Sequence, residues 1–344
     1  MLGFNPLSAG AKSPAFAPWR SSRCLMWYDA ALPLTYGAAL AAAGTTPAAA
    51  TLSGSQTIFA PVDLAIKCTT SGITGFAATA LGSVYTDGGT TPIATGVTLG
   101  QNVPLTGSLS GLSVTFANGN AVSTSTQNVW RGYVGSQNSA KGTGVLVPIN
   151  SSKPRVISPA AGICGGPAFF GDGASNALHE NTTALGNPAG GLFFWGVMQV
   201  TNGSPPTSSQ QCMVSGGNTI TPLVLCDNPA TFGIHYNFGS QRELTPGVTL
   251  GTPKRMLFNV TPGTQFLQWG SALHTEESGS NTTSTGITIL ARQDLAGVTF
   301  LNGMWACGGW FSGTPTGGGL ASLLDAWSQN SGGRFPTSPS GLLT

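Results

Sequence analysis

Leu192–Val200 reads LFFWGVMQV. No charge interrupts it, and a strand buried on both faces reads that way. Working outward, Leu112–Phe116 alternates apolar and hydroxyl residues before ANGN turns the chain. Met256–Val260 and Ile287–Leu290 are further strands. Val298–Trp310, VTFLNGMWACGGW, carries Asn302–Gly303 in its middle, which predicts a hairpin turn there. Short runs of this kind, bounded by Gly, Pro, Asn and Ser, point to an all-β sandwich or barrel. Helical periodicity is confined to GLASLLDAWSQN, Gly319–Asn330, where Leu320, Leu323, Leu324 and Trp327 recur at helical spacing. SGG at Ser331–Gly333 ends that helix.

Charge is scarce. Charged residues are 7% of the 344, against roughly 25% in ordinary soluble proteins. Gly contributes 50 residues and Pro 23, yet 8 Trp and 16 Phe are spread along the chain and the mean hydropathy is +0.14. Disorder couples low hydropathy with high net charge, so the composition reads as an ordered β-protein. Its solubility rests on hydroxyls and amides. A net charge of +2 without clustered Lys and Arg excludes a nucleic-acid footprint. No stretch is long and apolar enough for a membrane helix. MLGFNPLSAGAKSPAFAPWR has no basic start followed by an apolar run, so no signal peptide is expected. The closest cysteines, Cys212 and Cys226, are too far apart for a C-x-x-C pair. Buried thiols are expected at Cys24, Cys68, Cys164, Cys212, Cys226 and Cys307.

Catalytic motifs fail one by one. HENTT, His179–Thr183, lacks the second His of H-E-x-x-H and reads as a polar loop. GSQNSAKGT, Gly135–Thr143, has Ala140 where a phosphate loop needs its second Gly. No G-x-S-x-G elbow occurs. A glycosidase needs two carboxylates roughly 5–10 Å apart. Glu276–Glu277 are neighbours in a polar loop, and Asp172 with Glu180 is the better pair. GDGASN, Gly171–Asn176, reads as a turn rather than a calcium loop. No cofactor or metal is expected. Most of Trp130, Trp269, Trp305 and Trp310 belong to a core, whereas Tyr133 has a polar, loop-like context suited to stacking on a sugar.

Two separated parts resemble a known family. LMWYDAALPL, Leu25–Leu34, is followed far downstream by Trp130–Arg131 and GSQNSAKG, Gly135–Gly142. KPRVISPAAGICGGPAFFGDGASNAL, Lys153–Leu178, then leads into FFWGVMQV. Together these resemble the laminin-G or concanavalin-A-like jelly roll of phage and bacterial surface proteins. Trp27 and Asp29 match its opening strand, and Gly166–Pro167–Ala168 its middle. Phe300–Leu301–Asn302–Gly303 match its closing segment, and Leu320–Trp327 its last helix. The expected F-D-G carries an extra Gly at Phe170–Gly173. Trp305 and Gly132 stand where the family has acids. The resemblance implies a jelly-roll sandwich with a short C-terminal helix, in which WYDAALPL is the first strand and Asp29 bonds backbone at its end.

The expected organisation is an N-terminal attachment arm (1–24), the jelly roll (25–40 and 129–335), an inserted Gly/Ser/Thr-rich β-subdomain (41–128) and a C-terminal tail (336–344). The resemblance implies a tailed-bacteriophage virion protein, a tail fibre or spike subunit contacting the host surface. A capsid decoration or head-fibre protein and a polysaccharide depolymerase are the competing readings; an enzyme is not expected. Partners would be other virion proteins, further copies of the chain as a homotrimer, and host surface polysaccharide. The place would be the virion, assembled in host cytoplasm, where thiols stay reduced. A receptor site would lie in loops. The candidates are the 131–142 loop, with Arg131, Tyr133, Gln137 and Asn138, and the 271–284 loop, with His274, Glu276, Glu277 and Asn281.

Overall fold

The computed structural model describes residues 16–32, 34–37, 50–54, 57–58, 64–68, 82–86, 91–97, 101–104, 112–116, 127–130, 133–149, 154–157, 162–186, 190–201, 210–217, 222–226, 234–237, 241–244, 248–276, 285–294, 300–329 and 335. The chain is an all-β antiparallel sandwich of two sheets with one short C-terminal helix. Its centre is the stretch that opens the sequence analysis. Leu192–Val200 lies between Lys254–Asn259, paired antiparallel from Phe193 to Met198, and Asn302–Ser312, paired antiparallel along its whole length. Gln265–Trp269 and Ala272–Glu276 extend the first side to an edge. On the second side Cys24–Asp29 and Ala168–Asp172 share the far flank of Asn302–Ser312. Arg155–Ile157, Tyr133–Asn138, Leu34–Gly37 and Thr57–Ile58 continue outward.

The second sheet runs Val145–Pro148, Leu178–Ala184, Thr285–Ile289, Gln211–Ser215, Leu223–Cys226, Ile234–Asn237 and Gln241–Leu244. The pairing of Gln137 with Leu146 and Asn138 with Val145 joins the two sheets. Strands between 50 and 130 form two small sheets of their own, apart from Thr57–Ile58.

Strand alternation divides Leu192–Val200 between two apolar layers. Phe194, Met198 and Val200 enter the core between the sheets. Phe193, Trp195 and Val197 enter a second core on the opposite face. That second core is closed by the helix α1, Leu320–Gln329, through Leu320, Leu324 and Trp327. Leu323, which the periodicity assigns to the apolar stripe, is instead 46% exposed. The described part of the N-terminal arm packs on the same layer, with Trp19 edge-on to Trp327 at 6.4 Å.

Three sequence expectations are corrected. Asn302–Gly303 is not a hairpin turn but the start of one continuous strand. Gly303 is there for close approach: a Cβ would sit 2.3 Å from the Gln199 carbonyl oxygen. Asn302 is held by Gln211, whose Oε1 accepts from its N–H at 2.7 Å. HENTT is not a loop but part of the strand Leu178–Ala184. The 131–142 and 271–284 stretches are not purely loops either, since Tyr133–Asn138 and Ala272–Glu276 are strands. In each case cross-strand partners distant in sequence override local polar composition.

Candidate functional site

The two predicted receptor stretches lie near opposite edges of the first sheet, seven strand steps apart in the pairing order. At about 4.8 Å per strand that is roughly 30 Å, so they form no common site. Gln137 is only 1% exposed, and its amide donates to the carbonyls of Asp29 at 2.6 Å and Leu32 at 3.2 Å. It therefore anchors the first strand and is withdrawn from any ligand. Asn138 is exposed. Tyr133 pairs with Gly37 and Arg155 through the backbone. His274 and Glu276 lie on the edge strand, paired with Leu267 and Gln265. Arg131, Glu277 and Asn281, and the side chains of Tyr133, His274 and Glu276, are outside the described residues. Of the aromatic platforms, Trp269, Trp305 and Trp310 are buried.

The acids with described surroundings are engaged in the fold. Asp29 ends its strand and accepts from the Ala31 N–H at 2.8 Å, the backbone role expected of it. Asp172 Oδ1 accepts from the N–H groups of Ala174, Ser175 and Asn176, closing GDGASN as a turn. Glu180, buried between the sheets, accepts from the Thr182 and Thr183 N–H groups. Asp294 forms a bidentate pair with Arg292. Asp325 on α1 accepts from the Trp195 indole at 2.8 Å and lies 3.8 Å from the Arg255 guanidinium. Burial holds its carboxyl above the usual range, while Arg255 and the indole oppose that. Burial, with the Glu180 charge added, pushes the Tyr28 phenol up, so it stays protonated. Burial pushes the Cys24 thiol up to about 12 and raises Cys212 as well, the inert thiols of an apolar interior. Among the described residues no group of three or more His, Cys, Asp or Glu side chains could hold a metal ion.

His179 alternates with the inward Leu178 and Glu180 and is half-buried. Burial lowers its pKa below the usual imidazole value, with Glu180 opposing. The unfolded chain therefore binds a proton near pH 6.5 that the folded chain binds only at lower pH. Stability is expected to fall as pH drops from about 6.5 towards the folded value. Melting temperatures across that window should decline in the parent and flatten in His179→Gln; parallel curves would refute the assignment. The effect is small because the ring is half in solvent.

An open feature of the described surface is a cleft of about 440 Å³ between the 3-10 turn Pro18–Arg20 and the start of α1. Phe16, Leu320 and the outward Leu323 make it apolar, while Arg20, Ser21, Ser22 and Arg23 make it polar. Arg23 is pinned: its guanidinium donates to the carbonyls of Ser312 at 2.7 Å and Thr314 at 2.5 Å, and stacks 5.5 Å from the Phe193 ring centre. Arg20 is exposed and has no ion-pair partner among the described residues. Sequence reasoning missed this site because it treated 1–24 as an attachment arm. The signal was RSSR, Arg20–Arg23, a doubled cation in a chain with few charges.

A scan against protein-family models finds no match, and neither does a search of curated proteins. Solved structures are similar at low level. A Trypanosoma rangeli sialidase in complex with 2,3-difluorosialic acid has 8% identity and a TM-score of 0.41, over 57% of this chain and 31% of that one. A botulinum neurotoxin type C structure, described as interacting with two ganglioside molecules, has 7% identity and a TM-score of 0.38, over 56% and 51%. The alginate lyase A1-II′, of polysaccharide lyase family 7, has 15% identity and a TM-score of 0.28, over 50% and 80%. The chain thus spans 31% and 51% of the lengths of the first two.

Proposed function

We propose that this chain is a non-catalytic structural protein of a tailed-phage virion, a tail fibre or spike subunit whose β-sandwich holds host-surface glycan without cleaving it. The observation that carries the non-catalytic part is the engagement of acids in the fold. Asp29, Asp172 and the Oε1 of Glu180 are tied to backbone N–H groups, Glu180 Oε2 is buried from solvent, and Asp325 is tied to an indole and a guanidinium. A general acid or base must reach the proton it transfers, and carboxylates so placed serve turns and packing. The segments WYDAALPL, GGPAFFGDG and FLNG, together with the scarcity of charge, support the virion reading. A trimer is its natural assembly, since closed symmetry is the rule for homo-oligomers.

The test uses purified protein and host cells. The parent is expected to bind cells and to leave the average chain length of their surface polysaccharide unchanged. Tyr133→Ala, and separately Glu276→Ala with Glu277→Ala, should each weaken adsorption if the predicted stretches touch receptor. Shortening of the polysaccharide would establish a depolymerase. Full adsorption by both variants, with a per-particle copy number like that of the major capsid protein, would establish the decoration reading.

A further inference from the structure

We infer that the cleft between Pro18–Arg20 and α1 is a subsite for an acidic saccharide, a sugar ring bearing a carboxylate. This inference rests on the glycan-binding reading and names the class of glycan and where it is held. Three observations converge. The cleft is of ligand size: about 440 Å³ falls within the range of roughly 300–1,000 Å³ usual for small-molecule sites. Its charge is of one sign among the described residues, since two arginines line it and none of the lining residues is acidic. In a chain with 13 basic and 11 acidic residues out of 344, two arginines and no acid among the described lining residues are a concentration of the scarce charge. Finally, its polar and apolar parts are segregated. Phe16, Leu320 and Leu323 offer an apolar wall, and the Arg20–Arg23 segment offers guanidinium and hydroxyl groups.

A pyranose ring has an apolar face of C–H groups and a rim of hydroxyls, and a uronate adds a carboxylate to that rim. The apolar wall suits the ring face. Ser21 and Ser22 supply hydroxyls able to donate and accept. Arg20 supplies a planar fork that matches a carboxylate in two parallel hydrogen bonds. The two arginines divide the work. Arg23, held by the Ser312 and Thr314 carbonyls and the Phe193 ring, is a fixed charge. Arg20 is exposed and available to close on the ligand. Gly318, which also lines the cleft, has φ of +63°, and a Cβ there would meet nothing within 4 Å.

The experiment is calorimetric titration of the full chain with an oligogalacturonate and with the neutral oligogalactoside of the same length, at low and at high salt. The oligogalacturonate is expected to bind, and the neutral sugar to bind roughly tenfold or more weaker, as the loss of a charge-assisted hydrogen bond implies. High salt should narrow that gap, because Arg20 is exposed and screened. Arg20→Glu should abolish the preference, and Arg20→Lys should retain part of it. Melting temperature serves as the folding control, and it should not move because the Arg20 side chain has no ion-pair partner among the described residues. Equal affinity for both sugars, or an unchanged preference in Arg20→Glu, would overturn the cleft assignment and leave the glycan reading standing. Binding of neither sugar, with polysaccharide from the host also unbound, would overturn both.

Discussion

Trp195→Ala is expected to lower stability by about 3–5 kcal/mol, the range for removing a fully buried tryptophan. The side chain is completely buried in the core on the outer face of the first sheet. It stacks on Trp27 at 5.9 Å and meets Trp327 of α1 edge-on at 6.2 Å. Its indole N–H donates to Asp325, which tethers the helix to the sheet. Deleting it leaves a cavity between sheet and helix, and a partly buried carboxyl that keeps Arg255 at 3.8 Å. Since whole domains are stable by only about 5–15 kcal/mol, the variant should melt far below the parent or collect as insoluble protein. Trp195→Phe separates the two contributions. It keeps most of the packing and loses the N–H, at a cost of about 1–3 kcal/mol. Urea unfolding of both variants gives the comparison. An alanine variant no less stable than the phenylalanine one would show that α1 is not held by this ring.

Gly286→Ala should be comparably damaging for an unrelated reason. Gly286 has φ of +62°, and its ideal Cβ would lie 1.8 Å from the Glu180 carbonyl oxygen and 2.8 Å from a Glu180 carboxyl oxygen. The left-handed backbone costs an L-residue about 1–2 kcal/mol. The overlap is with backbone of the paired strand Leu178–Ala184, so the two strands must separate there. Overpacking of that kind adds about 1–3 kcal/mol. Gly263 supplies the control, because its φ is +78° but a Cβ there meets nothing within 4 Å. Gly263→Ala should therefore show the backbone cost alone. Equal losses at the two positions, read by thermal unfolding, would remove the steric part of this account.

Trp195 lies in a stretch that was legible in the chain. Leu192–Val200 announced itself as a two-sided strand because it lacks charge and is continuously apolar, and both faces are indeed covered. Leu320–Gln329 was legible from its spacing, and the backbone role of Asp29 from the family resemblance, although the strand it ends is Cys24–Asp29 rather than WYDAALPL. The strand and helix signals are local, carried by the residues within a turn or a strand.

The features that were not legible depend on partners remote in sequence. Asn302–Gly303 has the composition of a turn, yet Gln199, Gln211 and Asp172 pack around it and make it a strand. Trp305 and Trp310 would point to opposite faces by simple alternation. The extra residue at Ala306, where the register with Val197 and Met198 shifts, turns both into the core between the sheets. Gln137 looks like a ligand-binding amide in a polar loop until the carbonyls of Asp29 and Leu32 are brought to it from more than a hundred residues away. The cleft needs the start of α1 to meet Arg20–Arg23 across almost the whole length of the chain. Burial on both faces and a helical stripe are properties of neighbouring residues, and the sequence by itself determined them. Register, bulges, the role of a buried amide and the walls of a cleft are set by which strands meet, and only the tertiary structure decided those.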